Sequence, residues 1–501
     1  MKKLTAKRIL EIIPGLTMWI ALIAPFVLSF TYPTAVGIFI ILFDLYWIYK
    51  ALITGYHLVV GFLHMRKYMR MPWKKKLEAV QPSAIIADPA FVYNAVILAT
   101  YKEEMDILRP SVESIVKSDF AHERIIFVLA TEERDKQRAH TNAAILKKEF
   151  GSAFYDFIVT EHPDGIKGEM KAKGANVTWA AKKLSDYVNQ KGIDPEMVIV
   201  STADADSRFH PHYFSALTYE FVTNPNRQRR SFQPIPVFAN NIWEAPAIAR
   251  LLAYGSTFWQ LVESTRPWRL MNFSTHAMSL ALLQAIDYWD VTVVNEDSCQ
   301  FWRAYYTYQG DHEVVPIFFP VYMDAVLADT FWLTMQNQYR QRLRWAYGVE
   351  HFPHVVLDAW KHTEISLIDR IVKVWRLYEA NFSWATASIF IAFVGWFPTL
   401  VNRTFAHTVL AYNIPLYTTR LMAITWVGLI ISAYITIQLL PPRPSHFRRR
   451  HELMMALQWF LVPIGAIFFG SIPSIHAQTR LMFGKYMGFW TTQKSTAIKN
   501  R

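Results

Sequence analysis

The stretch MVIVSTADAD, residues 197–206, decides the fold. Its first six residues form an apolar, β-branched run of strand length. Two aspartates, Asp204 and Asp206, follow where that strand must end. Carboxylates two residues apart at a turning strand end can face one site, and they are hard oxygen ligands for a divalent ion that also binds phosphates. An isolated Asp-x-Asp is more often a pair of solvated loop acids, so its surroundings carry the argument. Upstream, apolar runs at 94–99, 124–130 and 154–160 alternate with helical patterns at 105–117, 135–150 and 173–189. That alternation predicts an α/β fold with a parallel, doubly wound sheet. Ligands of such sheets bind beyond the carboxyl ends of the strands. Polar clusters stand there: Thr100, Tyr101, Lys102 and Glu103 after the first strand, Thr131, Glu132 and Glu133 after the second. No Gly-rich dinucleotide fingerprint or Walker-type phosphate loop follows any strand, which argues against nicotinamide and P-loop enzymes.

This block fills residues 84–358, and both its flanks are membrane-like. Runs at 12–32 and 35–61 are each long enough to cross a bilayer, which takes about 20 apolar residues. Further runs lie at 382–401 and 422–440. A fifth, at 453–469, is interrupted by Pro463 and followed by Pro473, a pattern compatible with crossing, kinking or dipping back. Lys2, Lys3, Lys7 and Arg8 precede the first pair, while Arg66, Lys67, Arg70 and Lys74 follow it. By the positive-inside rule both flanks, and the block between the spans, lie in the cytoplasm. The expected organisation is an N-terminal transmembrane hairpin (1–65), a cytoplasmic domain (84–358), an interfacial amphipathic helix (359–381), C-terminal transmembrane helices (382–480) and a terminal segment (481–501). Such a chain is an integral membrane protein, expected in a prokaryotic plasma membrane.

Composition agrees. Of 501 residues, 52% are apolar and 18% charged, which excludes a disordered chain. One cysteine, Cys299, excludes an intrachain disulfide framework or a Cys-rich zinc site. Much of the net charge of +12 lies beside the spans. It therefore reads as topology and attraction to anionic membrane lipid rather than nucleic-acid binding. The pairs His210/His212 and His351/His354 lack a third ligand in the sequence and read as packing or surface residues.

Six short motifs then occur in order. They are Thr100-Tyr101-Lys102-Glu103, the Lys171–Asn176 segment (KAKGAN), Asp204-Ala205-Asp206, Asn295-Glu296-Asp297, Gln341–Trp345 (QRLRW) and Phe489–Lys494 (FWTTQK). Together they resemble the motifs of membrane-embedded family 2 glycosyltransferases, cellulose-synthase-like branch. The resemblance implies a GT-A (Rossmann-like) domain plus an α-helical transmembrane region. It implies inverting transfer from a nucleotide-sugar, a UDP-sugar above all. Asp206 and Asp204 would hold Mg²⁺ or Mn²⁺, and Asp297 would be the catalytic base. Thr100, Tyr101, Glu103, Glu132, Glu133, Lys171, Asn176, Asp204 and Arg344 would bind the donor. Glu296, His276, Gln341 and Trp345 would bind the acceptor. Phe489, Thr492 and Lys494 would form a gating-like segment. The sequence departs from the pattern where Glu132-Glu133 replaces paired aspartates, Lys102 replaces Asn, Asn295 replaces Thr and Thr491 replaces Val. Two acceptors remain open, a growing polysaccharide and a lipid-linked or other membrane acceptor. The small number of spans leaves room for an oligomer or partner subunit.

Overall fold

The computed structural model describes residues 5–488, the side chains of 417, 421, 422, 424 and 425 excepted. Eight strands form one sheet: β1 (Tyr93–Ala99), β2 (Ile125–Glu132), β3 (Asp156–His162), β4 (Val198–Asp204), β5 (Arg208–Phe209), β6 (Arg230–Phe238), β7 (His276–Ser279) and β8 (Glu313–Met323). Their order is β3-β2-β1-β4-β7-β6-β8-β5. Side chains alternate between the two faces of a strand, and both faces of β1 are covered. Val96 and Leu98 pack with Val112, Phe127, Phe214 and Phe221 on one side. Ala95 and Ile97 pack with Ile126, Val128, Leu184 and Leu283 on the other. This double burial explains why these strands read as continuous apolar runs.

Register places the chemistry. Ala99 pairs with Ala130 on one side and with Asp204 on the other, so the polar clusters after β1, β2 and β4 share one edge of the sheet. The predicted parallel sheet holds for β3-β2-β1-β4, is interrupted at β7, and resumes where β6 pairs parallel with β8. β7 runs antiparallel to both β4 and β6. At four residues it is too short to leave an alternation pattern in the sequence.

β6 contains Pro234 and Pro236, which cannot donate to a sheet ladder, and its pairing with β8 shifts register between Pro234 and Ile235. The buried Gln233 side chain makes the bonds instead. Its Nε2 donates to the carbonyls of Phe273 and Thr275, both at 3.0 Å, and its Oε1 accepts from Phe273 N at 2.8 Å. Three bonds from one side chain therefore hold the loop that enters β7.

Four helical runs are long and apolar enough to cross a membrane: Ala6–Thr31, Pro33–Met69, Leu367–Val401 and Arg450–Met482, with a shorter apolar stretch at Trp426–Leu439. The fifth sequence run lies inside the last of these. Pro463 and Pro473 do not end it. Each falls in the first turn of a segment, after a 3-10 stretch (Gln458–Leu461) and a π stretch (Ile467–Ser471) respectively, where a missing N–H costs least. Residues 359–381 divide between the end of the His351–Lys361 helix and the start of the Leu367–Phe393 helix, which Ser366 caps by accepting from Asp369 N.

The second span does not stop at the membrane. Leu58, Phe62 and Met65 pack with Tyr254, Phe258 and Leu261, and the Tyr68 ring meets the buried Trp73 at 4.5 Å and a 47° tilt. The contact closes at Gly61, where an added Cβ would lie 2.5 Å from Leu261 O. Gly61→Ala is therefore expected to destabilise by about 1–3 kcal/mol through overpacking, read as a lower thermal midpoint in detergent. An unchanged midpoint would mean that these helices do not bear on each other.

Candidate active site

The backbone fixes the place of each carboxylate. Asp204 ends β4, and its N–H donates to Ser207 Oγ at 3.1 Å as the chain turns. Asp206 tucks under, 3% exposed. Its Oδ2 accepts from Asp324 N at 3.0 Å and its carbonyl from Asn240 Nδ2 at 3.0 Å. Glu296 and Asp297 occupy the first turn of the Glu296–Thr307 helix, where the helix dipole favours negative charge. Asp297 Oδ1 accepts from Ser298 N at 2.7 Å.

Ser274 joins the two motifs. Its φ of 51° lies in the left-handed region, uncommon for residues other than glycine. Its N–H donates to Asp297 Oδ2 and its Oγ to Asp204 Oδ2, both at 2.7 Å. Beneath it, His276 Nδ1 donates to Ser274 O at 2.9 Å, while His276 Nε2 accepts from Trp289 Nε1 at 3.0 Å. That pattern needs a neutral ring with its proton on Nδ1. Burial lowers the His276 pKa to about 4, which keeps it neutral. With both nitrogens engaged and 1% exposure, His276 sits below the site as a support for Ser274, not at its surface where an acceptor would arrive.

Lys173 closes the cluster. It donates to Asp204 Oδ1 at 2.6 Å. Burial works to lower its pKa, but the facing carboxylates of Asp204, Glu296 and Asp297 hold it above the ordinary lysine value. Burial pushes Glu296 up to about 7, with Lys173 pulling the other way. Gly174 permits this approach, because an added Cβ would meet Asp290 O at 2.9 Å and Glu296 Cβ at 3.0 Å.

The Gln341–Trp345 motif is tied alongside by two contacts. Asn295 Nδ2 donates to Arg344 O at 3.0 Å. The rings of Phe273 and Trp345 meet edge-on, 5.5 Å apart at 78°. Gln341 and Trp345 then line a small cleft with Asp324, Phe238 and Ser256. Arg342 lines the same cleft, its guanidinium 4.9 Å over the Trp345 ring and donating to Leu252 O at 2.7 Å.

The expected donor residues are gathered less completely. Glu103 Oε2 accepts from Thr100 Oγ1 at 2.9 Å and from Tyr101 N at 2.6 Å, which shapes the turn after β1. Glu132 is buried and ion-paired with Arg134, whose guanidinium also stacks 4.4 Å over Tyr101. Burial raises the pKa of Glu132 against the pull of Arg134. Glu133 accepts from Asp164 N at 2.9 Å. Lys171 pairs with Asp164 at 2.6 Å on the surface. Asn176 points inward, donating to Ala130 O at 3.0 Å. Lys171 and Asn176 therefore stand apart from the aspartates, and Lys173, two residues along the same motif, reaches them. Phe489, Thr492 and Lys494 lie outside the described residues.

The residues fit a hard divalent ion. Among the described residues no group of three or more His, Cys, Asp or Glu side chains forms a cage. Mg²⁺-type sites in nucleotide enzymes commonly use one or two carboxylates and take the rest from phosphates and water. Asp204 and Asp206 supply such a pair, each oriented by hydrogen bonds.

The chain is similar to solved glycosyltransferases. The mannosyltransferase PcManGT from Pyrobaculum calidifontis, in complex with GDP-Man and Mn²⁺, is 14% identical, covering 77% of this chain and 99% of its own, with a TM-score of 0.38. S. aureus TarS 1-349, in complex with UDP-GlcNAc, is 13% identical, covering 70% and 93%, at 0.36. A second S. aureus TarS structure is 12% identical, covering 78% and 55%, at 0.31. No family model and no curated protein matches by sequence. The strand order, rather than these distant likenesses, defines the fold.

Lys173, Ser274, Gln233 and Asp324 are the residues that the motifs did not point to. Lys173 left a signal as the second lysine of its motif and the first residue of its helix, and Ser274 lies in the 273–276 segment between motifs that also carries His276. A further group steadies the Glu296–Thr307 helix from behind: Glu350 Oε1 accepts from Val294 N at 3.0 Å, and burial pushes its pKa up to about 7 from an ordinary 4.5. Between those values the folded state holds a proton that the unfolded state has released. Stability must then fall as pH rises from about 4.5 to about 7. Glu350→Gln keeps an acceptor for Val294 N and should flatten that fall in thermal melts across the window. An unaltered pH profile would show that Glu350 does not titrate there.

Proposed function

We propose that this chain is a membrane-bound, inverting glycosyltransferase of family 2, cellulose-synthase-like branch. It moves a sugar from a nucleotide-sugar, with UDP the favoured nucleotide, to a growing polysaccharide at a cytoplasmic site. The observation that carries this reading is Ser274, one residue bound to both Asp204 and Asp297. One loop residue thereby links Asp204, read as a donor-side carboxylate, to Asp297, read as the base, which supports a direct displacement.

In that displacement the acceptor hydroxyl oxygen bonds to the anomeric carbon, and the bond to the diphosphate oxygen breaks. The hydroxyl proton passes to the Asp297 carboxylate. Attack opposite the leaving group inverts the anomeric centre. Asp204 and Asp206 would hold the divalent ion, which when bound would supply positive charge to the leaving diphosphate. Arg344 adds planar guanidinium donors suited to phosphate. Trp345 offers a flat apolar face to a sugar ring, held by Phe273. Lys173 sets its positive charge against the facing carboxylates of Asp204, Glu296 and Asp297, and Ser274, supported by His276 and Trp289, ties Asp204 to Asp297.

A second reading, single transfer to a lipid-linked acceptor, is favoured by the four candidate spans, few to enclose a polymer path in one chain. Product size separates the two. The full chain in lipid nanodiscs, given Mg²⁺ or Mn²⁺ and UDP- or GDP-sugars, should release nucleotide and build a labelled polymer. A product of one added sugar would establish the second reading, and absence of nucleotide release with every donor would refute both.

A further inference from the structure

We propose that the loop after the Ala247–Ser264 helix and the start of the Leu367–Phe393 helix together form a binding site for the phosphate of an anionic membrane lipid. Three guanidinium groups, those of Arg266, Arg269 and Arg376, gather there. Arg376 Nη1 donates to Trp268 O at 3.0 Å, which docks the loop on the helix. Arg266 and Arg269 share one partner, the buried Glu263, at 2.5 and 3.4 Å. Lys373 reaches the same Trp268 carbonyl at 3.5 Å. The second nearby carboxylate, Asp369, is held by the Tyr305 hydroxyl at 2.5 Å. Four cations thus meet the two engaged carboxylates Glu263 and Asp369, with Glu313 also acting on Lys373. An arginine has five N–H donors, and the protein contacts of Arg269 and Arg376 use only a fraction of theirs.

Depth identifies the occupant. The second span starts at Pro33, and at 1.5 Å per residue Lys50 lies about 26 Å along it, close to the inner limit of a hydrocarbon core about 30 Å thick. Lys50 pairs with Glu379 at 3.1 Å. Arg376 stands one turn nearer the catalytic domain on the same helix as Glu379. His57, about 10 Å beyond Lys50, contacts Thr265 Oγ1 at 2.8 Å, the residue before Arg266. The guanidinium cluster is therefore at headgroup depth. Trp268 and Trp375, 54% and 60% exposed, flank it as interfacial tryptophans do. Phosphate charge above and apolar chain below match a phospholipid better than a soluble anion.

The test uses full-length protein, stripped of lipid in detergent and titrated with phosphatidylglycerol or phosphatidylcholine, the bound lipids being counted by native mass spectrometry. Wild type should retain phosphatidylglycerol several-fold more strongly than phosphatidylcholine. The Arg269→Gln/Arg376→Gln pair should weaken that retention by about 25-fold, at about fivefold per charge, and the Arg269→Lys/Arg376→Lys pair should keep most of it. If the glutamine pair fails to fold, Arg269→Gln alone should give the fivefold loss. Equal retention of the two lipids, undiminished retention in the glutamine variants, or displacement of the lipid by millimolar inorganic phosphate would each overturn the proposal.

Discussion

Asp297→Asn should lower kcat for sugar transfer by about 10²–10⁴-fold, the range expected when a positioned general base is lost, while the donor KM stays nearly constant. The carboxylate accepts two main-chain N–H groups, from Ser274 and Ser298, one on each oxygen. An asparagine has one acceptor oxygen, so one of those bonds is lost. That cost, about 1 kcal/mol, falls on a local contact and should appear as a small drop in thermal midpoint. The catalytic loss is of another order, because the amide cannot take the hydroxyl proton. Binding of the nucleotide-sugar, followed by fluorescence or calorimetry, should be preserved, since Asp204 and Asp206 are untouched. A variant that turns over at the normal rate would remove Asp297 from the reaction. A variant that loses donor binding in proportion would assign it to the wrong half of the site.

Asp206→Asn should show the converse pattern. Asp206 Oδ2 accepts from Asp324 N at 3.0 Å, and the side chain is 3% exposed. An asparagine oxygen can keep that hydrogen bond, so the turn after β4 should survive and only the charge is removed. Charge stabilisation of a leaving diphosphate is worth about 10²–10³-fold in rate, and the loss should appear as weaker metal-activated donor binding. Raising Mn²⁺ or Mg²⁺ should recover part of it. A fall in rate that metal concentration does not touch would place the ion elsewhere.

The two aspartates differ in how they were legible. β1, β2 and β4 announce themselves because both faces are buried, leaving continuous apolar runs, while the edge strand β3 is partly exposed, and the motifs at their ends follow from chain order. What joins those ends was not legible. Ser274 carries the central bonds through a backbone N–H in a left-handed conformation, which no side-chain pattern encodes. Gln233 acts because two neighbouring prolines remove ladder donors, a compensation visible only after β6 and the 273–275 loop are side by side. Lys171 and Lys173 are equivalent as charges in a sequence. The start of a helix at Lys173 decides which one turns inward. The resemblance assigns His276 to the acceptor, whereas its two ring bonds and burial make it a support beneath Ser274. In the membrane region, composition gave the spans, but the fate of the fifth run depended on 3-10 and π turns that absorb its prolines.

The helix Pro33–Met69 has a mechanical consequence. At 37 residues it is about 55 Å long, nearly twice the hydrocarbon thickness of a bilayer, and its inner third is mortised into the catalytic domain at Gly61 and Tyr68. One unbroken strut therefore sets the working height of the enzyme above the lipid. On the proposed reading, Asp204, Asp206 and Asp297 would then stand at a fixed height from the span. A change in bilayer thickness or in the tilt of that strut would then be felt at the sheet edge as a rigid displacement of the whole site.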